Sequence, residues 1–339
     1  MKPKGIPGAG SFVQVPAPLF PMNSRHSLAV TMLKQNMNDS QSDLCLSKLA
    51  SLCLIRFSGP DSSTFLQGQL TSDVRLLADG RTQLAAMNSP KGRVIAVLRL
   101  TQSQDSVFAL LPAELAATVT EKLQRYVLRA KVDIRLESEL VLTGVQGPPA
   151  RLAETLRILA EGTGSGSETP WFAWAPDRRV IATTPERWAA LRVGSGTAGP
   201  EEADNAWMRA DILAGLPQVF AATSEAYVAQ MLNLDLLDAI SFNKGCYTGQ
   251  EIITRAQHLG RIKRRLLHYG LEQGPAPELR TALLGDGAKV GEIAMSANDD
   301  DGARLLGVVT VEAAADSLQL EDGRIAKRLS LPYEVGAST

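Results

Sequence analysis

The chain has 339 residues, 45% of them hydrophobic and 21% charged, a length for two or three domains and a composition that excludes wholesale disorder. Thirty-five Lys and Arg stand against 36 Asp and Glu, a net charge of −1, so there is no global positive field and any contact with nucleic acid needs a local patch. Three widely spaced cysteines and three histidines exclude a disulfide framework and a four-cysteine zinc site, and no apolar stretch approaches the roughly 18 residues of a membrane span.

Residues 1–43 are rich in Pro, Gly, Ser and Asn and hold no acidic residue before Asp39; they are expected to be a disordered extension outside the fold of a cytoplasmic protein. Residues 52–57 read as a strand, turned at Ser58-Gly59-Pro60-Asp61, with Asp61 able to cap a helix through Phe65 and Leu66. A hairpin follows, 83–88 and 93–100 around Ser89-Pro90-Lys91-Gly92, then a strand over 106–111. Pro112 opens a helix whose apolar face is Leu115, Val119, Leu123 and Val127, and 131–136 alternates as a strand. The order βαβββαβ is that of an α+β unit over 44–138. A shorter copy spans 139–260, with strands at 140–145, 171–174 and 180–183, a helix at 150–160, a linker at 198–204 and a helix at 207–216. Beyond Gly260 the period falls to two between glycine turns, the pattern of a small antiparallel β-barrel over 261–339.

The densest local signal is Lys244-Gly245-Cys246-Tyr247-Thr248-Gly249-Gln250-Glu251, ahead of a helix predicted over 250–259. Unpaired N–H groups at a helix start favour a thiolate, and Lys244 is close enough in sequence to place an ammonium near the sulfur. Such surroundings lower a thiol from about 8.5. The segment therefore reads as a nucleophilic, redox-active or soft-metal cysteine, or more plainly as a small residue in a glycine turn. Cys45 and Cys53 read as ordinary packing residues. His258 could serve a cysteine hydrolase, but no Asn or Asp is evidently placed to orient it. No C-x2-C spacing exists, so Cys246 offers at most one ligand to a shared or transient iron–sulfur cluster. Arg261, Lys263 and Arg265 would share one strand face, either a basic stripe for phosphate or carboxylate groups or a solvated surface.

KGCYTGQE followed by R-A-x-x-x-G-x-x-K-R resembles the signature of the YgfZ folate-binding proteins, relatives of the glycine-cleavage aminomethyltransferase, the T-protein. The resemblance extends to Ser58-Gly59-Pro60-Asp61 with Phe65 to Gln69 and Asp73, Lys91-Gly92, Asp211-Ile212 with Ala214-Gly215-Leu216-Pro217, and Gln230 with Asn233-Leu234. It implies a T-protein-like ring of three domains: two ferredoxin-like α+β units, approximately 44–138 and 139–260, and a C-terminal antiparallel β-barrel. It also implies tetrahydrofolate as cofactor and a role in maturing or repairing iron–sulfur client enzymes, including those that thiomethylate tRNA; the alternatives are a folate-dependent one-carbon (aminomethyl) transferase and a tRNA-binding module using the Arg261–Arg265 stripe. Cys246 and Lys244 would be the working residues, within a motif completed by Gly245, Tyr247, Gly249, Gln250 and Glu251. Trp207 would stack on the pterin, and Arg209, Asp211, Gln230, Asn233 and Arg261 would complete the folate site. Three features depart from the family, one of them Leu52 where a second folate-associated tryptophan is expected. Leu213 stands where many members carry Glu, and Arg93 to Val97 lack the acid that aminomethyl transfer needs.

Overall fold

The structure is a computed structural model that describes residues 44–77, 81–153, 170–191, 200–258 and 262–336. Strand β1 (Cys45–Lys48) is followed by β2 (Leu52–Ser58), α1 (Ser62–Gln67), β3 (Thr82–Asn88), β4 (Val94–Ser103), β5 (Ser106–Pro112), α2 (Ala116–Gln124) and β6 (Asp133–Leu136). From β2 onward this is the predicted βαβββαβ order. Its strands form one antiparallel sheet, β3-β4-β5-β2-β6. Strands β4 and β5 are buried almost throughout, so both read as continuous apolar runs rather than alternating ones. The Asp61 carboxylate does not cap α1. It accepts instead from the Lys131 backbone N–H at 2.7 Å and so fastens the approach to β6.

The second sheet is β1-β7-β9-β8, built from β7 (Val141–Gln146), β8 (Trp171–Ala175) and β9 (Arg178–Thr183). Strand β1 pairs antiparallel with β7, so the first described strand belongs to the second sheet and the first unit begins at Leu52, not at residue 44. Helix α3 (Pro185–Leu191) follows, and α4 (Pro200–Leu213) begins within the stretch read as a linker. Most of the helix expected over 150–160 lies outside the described residues. Gly215 closes α4 at φ +65°; a Cβ there would stand 2.7 Å from the Tyr333 ring, so this is a close approach that glycine permits. The Tyr333 hydroxyl donates to the Gly215 carbonyl at 2.7 Å and ties the end of the chain to the end of α4.

After α5 (Gln250–His258) come six strands: β10 (Arg264–Leu271), β11 (Ala282–Gly285), β12 (Ala288–Asn298), β13 (Ala303–Thr310), β14 (Ser317–Leu320) and β15 (Ile325–Leu329). They close into the antiparallel barrel expected from the period-two pattern, in the order β10-β13-β12-β11-β14-β15. A buried ion pair helps to join the barrel to the centre of the molecule. Arg265, on β10, meets Asp235 through two hydrogen bonds of 2.6 and 2.9 Å and donates to the Gln230 carbonyl at 2.9 Å. Arg265 thus faces inward while Lys263 and Arg264 are exposed, and the predicted stripe does not form; Arg261 lies outside the described residues. Removing one partner of such a pair strands a buried charge. Asp235→Ala should therefore cost about 3 kcal/mol or more in urea denaturation, and a loss well below 1 kcal/mol would show that the pair does not hold the barrel.

Candidate functional site

The motif segment is wedged between the β3–β4 hairpin and the loop after α1. In the hairpin turn the Gly92 N–H donates to the Ser89 carbonyl at 2.9 Å, and Gly92 sits at φ +69°. Gly249 sits at φ +79°, where an added Cβ would stand 2.6 Å from the Ser89 oxygen and 3.2 Å from the Asn88 Cβ. A Cβ on Gly92 would in turn stand 2.6 Å from that of Ile252 in α5. Two glycines, each with positive φ, let the loop and the first turn of α5 lie directly on the hairpin. The Gln250 side chain accepts from the Tyr247 N–H at 3.3 Å, and Glu251 places a carboxylate in the first turn of α5, where the helix dipole favours it. Gly245 has open space where a Cβ would stand, and nothing in the structure explains its identity.

Lys244 is buried. Its Nζ donates to the carbonyls of Leu70 and Ser72, both at 2.7 Å, and lies 5.1 Å from the centre of the Tyr247 ring. This corrects the role expected for it: the ammonium is engaged by the loop after α1 rather than reserved for the Cys246 sulfur. Helix α5 also starts four residues beyond Cys246. Burial pushes the Lys244 amine down to about 8, with Asp73 opposing and Arg75 reinforcing the shift. Burial likewise pushes the Tyr247 hydroxyl up to about 12.

With its neighbours fixed below, Cys246 is exposed. It lines an open groove of about 1040 Å³ together with Pro90, Tyr126, Thr254, Arg255 and His258. His258 rests edge-on against Phe242 with ring centres 6.0 Å apart, and among the described residues no hydrogen bond joins it to Cys246. The described residues contain no group of three His, Cys, Asp or Glu side chains placed to hold a metal ion. Cys53 is half-buried and its thiol is pushed up to about 12 by burial. Cys45 is exposed, so it is not the inert packing residue its sequence surroundings suggest.

Five of the residues assigned to tetrahydrofolate, Trp207, Arg209, Asp211, Gln230 and Asn233, are described, and none of them lines this groove; Arg261 lies outside the described residues. Trp207 is buried, with the Arg178 guanidinium 4.9 Å over its ring and the Trp174 ring edge-on at 5.5 Å. Asp211 accepts from Trp174 Nε1 at 2.6 Å and pairs with Arg178 at 2.8 Å. Arg209 pairs with Asp299 at 2.7 Å. Gln230 donates to the Ile253 carbonyl and Asn233 to that of Leu266, each at 2.8 Å, so both amides fasten α5 and β10 to the centre of the molecule. Leu213, which stands in place of the expected Glu, is 49% exposed and apolar. The buried arginines Arg99 and Arg178 carried no assignment from sequence. An arginine inside the apolar run Val97-Leu98-Arg99-Leu100 was the available signal for the first of these.

Three expected outcomes follow from this geometry. Gly249→Ala should cost about 2 kcal/mol or more through its left-handed backbone alone, as measured by urea denaturation. Trp207→Leu should lose stability on the order of 3 kcal/mol, as a core tryptophan does, and a fully stable variant would show the ring is not core. Lys244 is protonated in the unfolded chain up to 10.5 but only up to about 8 in the folded one. Between these values the unfolded state binds more protons, so stability rises with pH through that window. The stability of wild type relative to Lys244→Met should therefore increase from pH 8 to 10.5, and a flat difference would contradict the buried amine.

No protein-family model matches the chain. The chain is 33% identical over 290 residues to the tRNA-modifying protein YgfZ of Klebsiella pneumoniae (strain 342), covering 81% of this chain and 88% of that protein. It is 32% identical over 321 residues to the tRNA-modifying protein YgfZ of Enterobacter sp. (strain 638), covering 89% and 97%. In three dimensions it is similar to the glycine cleavage system aminomethyltransferase T from Bartonella henselae, with a TM-score of 0.60 over 86% of each chain at 18% identity, which establishes the T-protein-like fold. Identity of this level over nearly the full length of the curated proteins is decisive: the chain belongs to the YgfZ family.

Proposed function

We propose that the protein is an accessory factor for iron–sulfur enzymes, those that thiomethylate tRNA among them, with Cys246 as its working thiol. One observation carries the reading: Cys246 is exposed on the groove while Lys244 and Tyr247 of the same motif are buried beneath it. A sulfur presented on a loop held by buried neighbours keeps its position when a partner approaches, which is what a transient cluster ligand or an exchanging thiol requires. The names of the curated relatives, tRNA-modifying proteins, support the link to tRNA. Tetrahydrofolate enters this reading as a ligand of the T-protein-like fold.

Aminomethyl transfer is not part of the proposal. Val94, Ile95, Ala96 and Val97, which follow the Gly92 turn, are all buried and apolar, and a strand of that kind offers no group to manage protons. The barrel supplies no reason to propose a tRNA-binding stripe either, since Arg265 is engaged with Asp235.

Complementation of a strain lacking its own copy, scored by tRNA thiomethylation, tests the thiol. Cys246→Ser is nearly isosteric but cannot serve as a soft ligand or exchanging thiol, so it should fold and fail to rescue, while Cys45→Ser should rescue fully. Full rescue by Cys246→Ser would overturn the proposal. Alkylation of the native protein should modify Cys246 and Cys45 and spare Cys53; rapid modification of Cys53 would show that its burial is not maintained.

A further inference from the structure

Strand β6 (Asp133–Leu136) ends the first sheet. It pairs with β2 on one side, and among the described residues no strand pairs with its other side. The Glu137 N–H donates to the Leu54 carbonyl at 2.8 Å, and the register sets Arg135 opposite Arg56 and Asp133 opposite Ser58. Residues 133, 135 and 137 therefore direct their backbone groups to β2, and those of 132, 134 and 136 point out of the sheet edge. An exposed edge of this kind is a template for another strand. Ile134 is buried, whereas Leu136, on the same face of the strand, is 48% exposed.

The side chains along this edge are ordered so that a second copy fits it. From Arg129 to Glu139 every odd position is charged, in the order Arg129, Lys131, Asp133, Arg135, Glu137, Glu139, and all but the half-buried Glu137 are exposed. In an isologous contact residue i meets j and j meets i. Two antiparallel β6 edges related by a two-fold axis at Ile134 therefore set Asp133 against Arg135, Lys131 against Glu137 and Arg129 against Glu139, each pair of opposite sign. Val132 then faces Leu136. Other placements of the axis fail. At residue 133 or 135 it opposes Asp133 or Arg135 to itself, and at 132 or 136 it opposes Arg129 to Arg135 or Asp133 to Glu139. Within one strand Asp133 and Arg135 pair at 2.5 Å, but both are exposed, and such a surface pair contributes little, so both groups can take partners across the axis.

We propose that the outer edge of β6 is an interface between two copies of this chain, which pair antiparallel about Ile134 and join their five-stranded sheets into one. The backbone groups of Val132, Ile134 and Leu136 make the hydrogen bonds across the axis, and the order of charges fixes the register. None of the residues lining the Cys246 groove takes part, so this interface and the thiol proposal fail separately.

Sedimentation velocity of the full chain over a dilution series tests this, with a reductant present so that the exposed Cys45 and Cys246 do not cross-link. Wild type should sediment as a dimer that dissociates on dilution. Asp133→Arg and Arg135→Asp each turn the two symmetry-related Asp133–Arg135 pairs into like-charge ones, and each should weaken the dimer by about tenfold or more. Both substitutions fall at exposed positions, and the variants should unfold at the wild-type urea concentration when measured as monomers. Mixing the two single variants in equal amounts should restore dimers, because the two chains together regain both opposite-sign pairs; the double variant should dimerise for the same reason. Wild type that stays monomeric at every concentration, a dimer untouched by either single substitution, or single variants that do not recover on mixing would overturn the proposal.

Discussion

The Lys244 ammonium, held between the carbonyls of Leu70 and Ser72, is the contact on which the motif depends. It joins segments separated by more than 170 positions in the chain and replaces the water that two buried carbonyls would otherwise need. The same loop is fixed from the other side, where Thr71 Oγ1 donates to the Ala239 carbonyl at 2.6 Å and accepts from the Ala86 N–H at 2.8 Å. Between these bonds and the two positive-φ glycines at the hairpin, the backbone around Cys246 has little freedom left. Burial of the amine carries a desolvation cost and pushes its pKa down to about 8.

Much of this was legible in the sequence. The βαβββαβ order, the barrel and the motif's place before a helix all follow from periodicity and turn residues, which act locally. Strand β1 was missed because only Leu46 of its four residues is buried; so short a segment carries no period, and its pairing with β7 is a tertiary fact. The start of α4 at Pro200 was missed because Ala198 to Asp204 has the small and acidic composition of a linker, although Pro and Glu also suit the first turn of a helix.

Side-chain direction was the larger failure of the sequence reading. Lys244 is two residues from Cys246, and proximity suggested an ammonium beside a sulfur, as a fully extended backbone would have given by putting both on one face; the chain instead bends at residues 242–244, leaving Lys244 buried and Cys246 exposed. Trp207 offered an indole for a pterin, yet packing against Trp174 and Arg178 leaves it in the core. Arg265 looked like part of a solvated stripe because its partner, Asp235, lies 30 positions away and its inward turn has no local signature. For Lys244 and Arg265 the residue type was read correctly and the partner was the wrong one.

The central claim, that the motif is a rigid mount for an exposed thiol, rests on order in a segment with almost no regular secondary structure. Native-state hydrogen exchange measures that directly, because the Ser241 N–H is donated to the Thr71 carbonyl at 2.9 Å and the Thr248 N–H to that of Gly68 at 3.3 Å. The account predicts that both amides exchange about as slowly as Ala86 in β3, and that Lys244→Met speeds them while the amides of β5 stay protected. Exchange of Ser241 and Thr248 in the wild type at the rate of an open loop would contradict it.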